Sequence, residues 1–202
     1  MEFAKASNTF YLNKSTYVNL RWIAIIGQLI TILSVQFILS FDFNYFYCLS
    51  IVLLSVLTNI YLIFKFKENQ LNNLISTIYL SFDILLLGIL FYLTGGITNP
   101  FVFLIIVPAV FSSQYLNIYS SIILVTLIIL ILSIITFYYQ ELPHPGELHF
   151  HAPVYYLIGI PISIVIGLLF LVYFGVKFGE ENRIRKRAYD KIQELMAKEN
   201  EL

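Results

Sequence analysis

The sequence is poor in charged residues. Asp, Glu, Lys and Arg together make up 12% of its 202 residues, against roughly 25% in an ordinary soluble domain. Hydrophobic residues make up 59%, and the mean hydropathy is +0.82. A soluble protein of this length could not bury that much apolar surface, so the solvent must be lipid. The scarcity of charge therefore excludes a soluble domain.

Cysteine and catalytic motifs are also scarce. The single cysteine, Cys48, falls inside an apolar run, where we interpret it as a small buried hydrophobic residue rather than a redox thiol. The chain has no phosphate-cradling glycine loop, no nucleophile elbow and no HExxH motif. We therefore predict no catalytic residue and no catalytic domain in these 202 residues.

Histidine occurs only in one polar connection near the end of the chain. Two glutamates accompany the three histidines there: Glu141, His144, Glu147, His149 and His151. Imidazoles and a carboxylate could in principle complete a metal site. Their spacing matches no established ligand framework, so we interpret this segment as a solvated loop and predict no metal.

Six apolar stretches have about the length that a bilayer crossing requires, which is roughly 20 residues. The fourth is the shortest and contains Pro108, so we expect a kinked, shallow helix. The sequence predicts an all-α membrane protein: a short N-terminal segment (1–21), a six-helix membrane bundle (22–176) and a C-terminal helix (177–202). The six predicted spans are Trp22–Leu39, Tyr45–Phe64, Leu74–Thr94, Phe101–Leu116, Ile118–Tyr139 and Pro153–Val176.

The basic residues indicate the orientation. Six crossings place every Lys and Arg on one side of the membrane, and the bias of basic residues toward the cytoplasm makes that side cytoplasmic. Both termini are then cytoplasmic, and we expect no removable signal peptide. The short outer connections leave no room for a folded sensing domain, so any stimulus must be small, lipid-borne or felt within the bilayer. The basic residues are Lys5, Lys14 and Arg21 before the first span, Lys65 and Lys67 between the second and third, and those from Lys177 to Lys198 after the sixth.

The segment after Lys177 is strongly charged and predicts a helix. Ala188, Ile192, Leu195 and Leu202 fall at alternating spacings of four and three, with one charged position between the last two. That pattern fits the seam of a short coiled coil. One interpretation is a basic helix lying against anionic lipid. The other is a signalling helix that continues the sixth span and pairs with its copy in a homodimer.

Asp83 is the one ionisable residue inside a predicted span. An intramembrane carboxylate is costly and should face the bundle interior. We weigh two roles: a structural hydrogen bond to a polar group such as Gln28, Gln36 or Asn59, or a proton or quinone relay. A small transporter or scaffold with a proton or solute path near Asp83 is the alternative function. Internal symmetry between two halves would favour it, and the sequence shows none.

Between the third and fourth spans the chain reads "GGITNPF", from Gly95 to Phe101. As a turn, the glycines would end one helix in left-handed conformations, and Asn99-Pro100 would start the next. As a site, Gly95 and Gly96 would let a flat ring approach the backbone. Asn99 offers an amide and Phe101 an aromatic face. Both interpretations hold at this point.

The heptapeptide resembles the GGxxNPF motif of the membrane domain of RegB/PrrB-type redox-sensing histidine kinases. "LRWIAIIGQ" around the first span, "FDILLLGILFYLTGG" in the third and "AKENEL" at the end also resemble that family. The resemblance implies a quinone-binding sensor in the bacterial inner membrane, with a ubiquinone-like ligand at Gly95, Gly96, Asn99, Pro100 and Phe101. It also implies that the quinone redox state sets the activity of a cytoplasmic kinase core, which these residues do not contain, and that this core controls a cytoplasmic response regulator. We expect lipid as a partner and no nucleic acid.

Overall fold

A computed structural model of the chain describes residues 11–38, 40–41, 43–140 and 153–200. Those residues form six α-helices, and the predicted all-α membrane bundle is confirmed. The helices are α1 (Lys14–Leu33), α2 (Tyr45–Lys65), α3 (Asn73–Leu93), α4 (Val107–Tyr115), α5 (Ile118–Phe137) and α6 (Val154–Asn200). The predicted histidine loop lies outside the described residues, as does Leu202 of the predicted coiled-coil seam.

Five of the helices in the described part of the chain are long and apolar enough to cross a membrane. The fourth, as the sequence indicated, is shorter: a 3₁₀ segment, Val102–Ile106, leads into the nine residues of α4. Pro108 lies at the start of α4, where its missing N–H costs little because the first turn has no internal acceptor to supply. Large apolar side chains cover much of the outer surface of the bundle, as a lipid solvent allows.

The first helix begins earlier than the sequence predicted. It starts at Lys14 rather than near Trp22 and continues as a π-helical segment, Ser34–Ile38. Lys14 and Arg21 therefore lie within α1, and the prediction that they precede the first helix is wrong. The hydropathy pattern missed these roughly two turns of helix because Lys14, Ser15, Thr16 and Asn19 are polar. The stretch nevertheless packs its apolar face inward through Tyr17 and Val18.

A two-stranded antiparallel ribbon, absent from the sequence-based prediction, joins the starts of α1 and α3. Its strands are β1 (Tyr11–Asn13) and β2 (Gln70–Asn72). Leu12 and Leu71 face each other in the ribbon and are both buried. We call this end of the bundle the ribbon end, and the opposite end, where residues 94–101 lie, the loop end.

Asparagine side chains cap the helices that start at the ribbon end. Asn13 accepts a hydrogen bond from the N–H of Thr16 at 3.1 Å, and Asn72 accepts one from Ile75 at 2.8 Å. Asn117 caps α5 in the same way. An N-cap side chain satisfies a backbone N–H that has no partner within the helix. These caps fix where α1, α3 and α5 begin.

The interior of the bundle is built around α3 and α5. α3 packs against α2, α4 and α5, while α6 packs against α4 and α5. Leu80, Ile84, Leu124, Ile128 and Leu132 are among the side chains fully enclosed there. Cys48 is buried in a second apolar cluster with residues of α1 and α3, in agreement with its interpretation as a buried hydrophobic residue.

Candidate functional site

The segment Gly95–Phe101 forms a tight turn at the loop end. α3 ends at Leu93, and Gly95 and Gly96 follow with φ angles of +98° and +59°. Both lie in the left-handed region, which an L side chain adopts only at a cost. A short 3₁₀ turn, Gly96–Thr98, then leads to Asn99. The predicted helix end with left-handed glycines is thus confirmed.

Gly96 faces protein rather than open space. A Cβ atom there would lie 2.7 Å from the carbonyl oxygen of Ile135 and would overlap the side chain of Tyr139. The N–H of Gln140 also donates to the carbonyl of Tyr92 at 2.9 Å, so the segment just after α5 is bonded to the last turn of α3. The glycine therefore lets the turn pack closely on the last residues of α5.

The side chain of Asn99 holds the turn together. Its Nδ2 donates to the backbone oxygen of Thr94 at 2.9 Å and to the hydroxyl of Thr94 at 2.8 Å. Its Oδ1 accepts from the N–H of Phe101 at 2.8 Å. These partners fix the orientation of the amide, because a carbonyl can only accept and an N–H can only donate. Both amide protons are used, and Oδ1 keeps one lone pair.

Thr98, Pro100 and Phe101 are the exposed residues of the turn. The side chain of Phe101 is 41% exposed, and Phe103, two residues further on, is 53% exposed. Gly95, Gly96 and the side chain of Ile97 are buried beneath them. The structure thus brings the five predicted site residues into one turn, in which the glycines and Asn99 form the frame and Phe101 offers the accessible ring.

Asp83 lies in a buried ion pair that the sequence analysis missed. Arg21 donates to Oδ1 of Asp83 through Nη2 at 2.8 Å and through Nε at 3.1 Å. Tyr17 donates its hydroxyl proton to the other carboxylate oxygen. The side chain of Arg21 is only 5% exposed. The prediction that Asp83 is the one ionisable residue in a span is wrong, as is the placement of Arg21 among the residues that precede the first helix.

The ion pair belongs to a network that joins three helices. Nη2 of Arg21 also donates to the hydroxyl of Thr58 at 2.8 Å, and Nη1 lies 3.5 Å from Oδ1 of Asn59. Asn59 donates in turn to the carbonyl of Val18 at 3.4 Å. Helices α1, α2 and α3 are therefore connected through one guanidinium group.

Of the three polar residues predicted as partners of Asp83, one is connected with it in the structure. Asn59 belongs to its network through Arg21, whereas none of the hydrogen bonds among the described residues connects Gln28 or Gln36 with the carboxylate. Gln28 is half-buried on α1, and the buried Oε1 of Gln36 has no hydrogen-bond partner in the described part of the chain. A relay role for Asp83 or Gln28 stays a prediction.

Helix α6 makes close contact with the end of α4 near the ribbon end. A Cβ atom at Gly175 would overlap the side chain of Ser113, and one at Gly179 would overlap the backbone carbonyl of Gln114. Arg183, one turn further along, donates to the same carbonyl at 3.4 Å. Glycines four apart lie on one face of a helix, so α6 approaches the α4 backbone directly.

The charged part of α6 also touches the ribbon. Lys186 donates to the hydroxyl of Tyr11 at 2.9 Å, and its ammonium group lies 5.6 Å from the centre of that ring. This hydrogen bond raises the pKa of Lys186 above its usual value. Further along, Ile192 and Leu195 of the predicted seam are more than half exposed, on a helix that continues the sixth span without a break.

Comparison with known proteins identifies the family of the chain. A family model described as "PilS-like transmembrane domain" matches residues 15–115. The sensor histidine kinase RegB of Cereibacter sphaeroides is 30% identical over 188 residues, which are 93% of this chain and 41% of that protein. The chain thus spans about two fifths of the length of this relative. No solved structure matches the chain. The chain belongs to the family of PilS-like transmembrane domains, as a membrane sensor domain of the RegB type.

Proposed function

We propose that this domain binds a ubiquinone-like quinone at the loop end and reports its redox state to a histidine kinase core. The observation that carries the proposal is the turn Gly95–Phe101. It reproduces a quinone-site motif in a chain of the RegB type, and it forms a framed turn with one exposed aromatic ring. The family comparison supports the membrane sensor class, and the motif supports the ligand.

The residues of the turn have different roles in the proposed site. The ring of Phe101 packs against the quinone ring, because it is the accessible aromatic face of the turn. Gly95 and Gly96 set the path of the backbone and seat it on α5. Asn99 acts mainly by holding the turn, since both of its amide protons are bonded to Thr94. Pro100 fixes the backbone between Asn99 and Phe101.

The output runs from the turn through α4 to α6. The turn leads directly into the 3₁₀ segment and α4, and the end of α4 seats α6 at Gly175 and Gly179. A ligand shifts such a bundle only if it binds two packings with different affinities. Couplings of this kind are typically about 1–3 kcal/mol, which is enough to bias a balanced equilibrium between two packings.

In the parent protein, the loop end faces the outside of the bacterial inner membrane, and the ribbon end and the charged part of α6 face the cytoplasm. This orientation still follows from the basic residues once Arg21 is set aside as a buried partner of Asp83. Two copies pair through the exposed seam of Ala188, Ile192 and Leu195, and the kinase core passes its phosphoryl group to a response regulator.

A path for protons or solutes near Asp83 has less support. Both oxygens of Asp83 are engaged, one by Arg21 and one by Tyr17. Arg21 in turn is bonded to two residues of α2. A closed ion pair of this kind favours a structural role over a conducting one.

The proposal can be tested by titrating a short-chain ubiquinone into the domain in nanodiscs of quinone-free lipid. We expect Phe101→Ala to weaken binding about two- to twelve-fold, because an aromatic pair contributes about 0.5–1.5 kcal/mol beyond the area that it buries. Phe103→Ala is the matched control, since that ring is equally apolar, more exposed and outside the turn. Equal affinities of the two variants and the unmodified domain would remove the site from the turn.

A further inference from the structure

Helix α6 has one packed side and one open side. Leu168, Gly175 and Gly179 lie on the packed side, against α4 and the core. Ile166 and Phe170 lie on the open side and are more than half exposed. Of the five long apolar helices in the described part of the chain, α6 is the least enclosed by the rest of the protein. Its open side is therefore available to a partner within the bilayer.

The open side of α6 in the membrane continues as the predicted seam outside it. Successive residues of an α-helix are turned by about 100°, so a set of exposed apolar residues from both parts of α6 points within about 40° of one direction, roughly opposite the contact with α4. The helix is unbroken, and Pro161 precedes this set, so the membrane part keeps a fixed rotation relative to the seam. We call the set the α6 stripe: Ile166, Phe170, Phe174, Ile184, Ala188, Ile192 and Leu195.

We propose that a second copy of this chain covers the α6 stripe, so that two copies pair within the membrane through Ile166, Phe170 and Phe174. The inference rests on the proposed function, because it extends into the bilayer the pairing of the cytoplasmic seam. It assigns the membrane surface through which the sensor domains meet, and this surface faces away from α4.

Lipid cannot cover the whole stripe. Leu195 lies about 28 Å beyond Val176, where the predicted sixth span ends, at 1.5 Å per residue. Because α6 continues the span without a break, the apolar side chains of the seam project away from the bilayer. Exposed apolar side chains that form a continuous patch in water mark a protein contact. A protein that meets the seam also meets the membrane part of the stripe, since both lie on one side of one helix.

A copy of the same chain fits this surface. Two copies in one membrane have the same orientation, so a two-fold axis brings the same stripe of each together in parallel. Between the two apolar parts, this side of α6 carries Lys177 and Glu181, which have opposite charges. A parallel two-fold pair places Lys177 of one copy beside Glu181 of the other, with an axial offset of about 6 Å. The charged break in the stripe therefore favours pairing in this register.

Cysteine cross-linking of the whole chain in liposomes tests this assignment. The one cysteine of the sequence, Cys48, is buried, so the unmodified domain is the blank. Phe170→Cys and Phe174→Cys should each form a disulfide-linked dimer on oxidation with copper phenanthroline, because facing residues of a close helix pair come within reach of a disulfide.

Leu169→Cys is the matched control for these variants. Leu169 and Phe174 are both 53% exposed, but Leu169 is turned about 100° from the stripe. Its distance from the copy in a specific pair exceeds the reach of a disulfide, so we expect cross-linking at least about ten-fold slower than at Phe174.

A second pair of variants tests whether the membrane contact continues the seam. Ile192→Asp puts a charge into the seam, where pairing would bury it without compensation. Added to Phe174→Cys, it should slow cross-linking at least about ten-fold. Tyr189→Asp is the control, because Tyr189 is similarly exposed and is turned about 100° from the stripe. It should leave the rate unchanged.

Three results would overturn the proposal. Equal rates for Phe170→Cys, Phe174→Cys and Leu169→Cys would indicate random collision. No cross-link at any of these positions would mean that lipid or another protein covers the stripe. An unchanged rate when Ile192→Asp is added to Phe174→Cys would separate the membrane contact from the seam.

The outcomes also distinguish this inference from the proposed function. If the unmodified domain binds quinone while the stripe positions do not cross-link, the sensor stands and the pairing within the membrane falls. If the stripe positions cross-link while the domain binds no quinone, the proposed function falls and the pairing stands.

Discussion

The buried ion pair between Arg21 and Asp83 makes a strong prediction about stability. Replacing Asp83 by Leu removes the acceptor of two guanidinium hydrogen bonds and leaves Arg21 enclosed at 5% exposure. Loss of one partner from a buried pair costs about 3–5 kcal/mol, because the other charge stays buried without compensation. We therefore expect Asp83→Leu to lower the free energy of unfolding by about that amount.

Removing both charges should cost much less. In Arg21→Met with Asp83→Leu, no buried charge is left, and apolar side chains of similar size replace the pair. The hydroxyl of Tyr17 and Oδ1 of Asn59 then lose their partners, and an unpaired buried polar group costs about 1–3 kcal/mol. The double variant should still be more stable than Asp83→Leu alone if these penalties are smaller than that of the buried charge, and adding Tyr17→Phe should remove the penalty at Tyr17.

The assay is reversible unfolding in mixed micelles with increasing SDS, followed by the fluorescence of Trp22. Trp22 is the single tryptophan of the chain, is half-buried and follows Arg21 directly. Glu194→Ala is the control for loss of a carboxylate, since Glu194 forms an exposed pair with Lys198 on the charged part of α6. Exposed pairs contribute little, so its unfolding curve should coincide with that of the unmodified domain.

Two results would refute this account of the pair. If Asp83→Leu unfolds at the same SDS fraction as the unmodified domain, the pair does not contribute as its burial implies. If the double variant is as unstable as Asp83→Leu, the loss comes from packing around the carboxylate rather than from an uncompensated charge.

Two further predictions concern the turn and the tail. Gly96→Ala should destabilise the domain by about 2–4 kcal/mol, because φ is +59° and the end of α5 leaves no room for a methyl group. Gly159→Ala is the control, because that glycine lies in a helix with open space around it, and it should be neutral or stabilising in the same assay. Equal effects of the two substitutions would contradict the packing argument. The Lys198 hydrogen bond lowers the pKa of Glu194, so the pair stabilises the helix above the usual pKa of a glutamate, and this contribution is lost as the pH falls through the lowered pKa. As the pH falls through the lowered pKa of Glu194, amide hydrogen exchange of residues 190–200 should become faster relative to the intrinsic exchange rate in the unmodified domain, and much less so in Glu194→Gln. Identical pH profiles of the two proteins would show that the ion pair does not stabilise this part of the helix.

Much of the fold could be predicted because lipid as solvent leaves a simple signature. Long apolar stretches separated by polar connections can only be helices at membrane depth, since each backbone N–H and C=O must be paired within the segment. The short fourth span was visible in its length and in Pro108. The left-handed glycines of the turn were visible because paired glycines after an apolar helix have few other uses.

The position of Arg21 could not be read in the same way. It lies at the edge of the first apolar stretch, beside polar residues that resemble a flanking segment, and its partner is 62 residues away in the chain. One signal was available: an intramembrane carboxylate needs a counter-charge. If the predicted first span is extended toward the N-terminus by about two turns, Tyr17 and Arg21 lie four residues apart on one face of that helix and become candidate partners of Asp83.

The orientation of the Asn99 side chain could not be predicted from the sequence either. The sequence shows an amide next to a proline, which suits a ligand contact and a turn frame equally well. Only the fold brings Thr94 and the N–H of Phe101 to the two ends of that amide. The ribbon between Tyr11–Asn13 and Gln70–Asn72 is a case of the same kind, because three-residue strands carry too little alternation to be recognised.

The uninterrupted length of α6 has a mechanical consequence. Its 47 residues extend over about 70 Å at 1.5 Å per residue, and the contact of Gly175 and Gly179 with α4 lies near the midpoint. Each arm is thus about 35 Å long, and α6 can tilt about that contact as a lever with equal arms. A sideways shift of one ångström at the end beside the turn would then move the far end by a similar distance in the opposite direction. The movement of α6 would therefore have the same amplitude at both ends of the helix, in opposite directions.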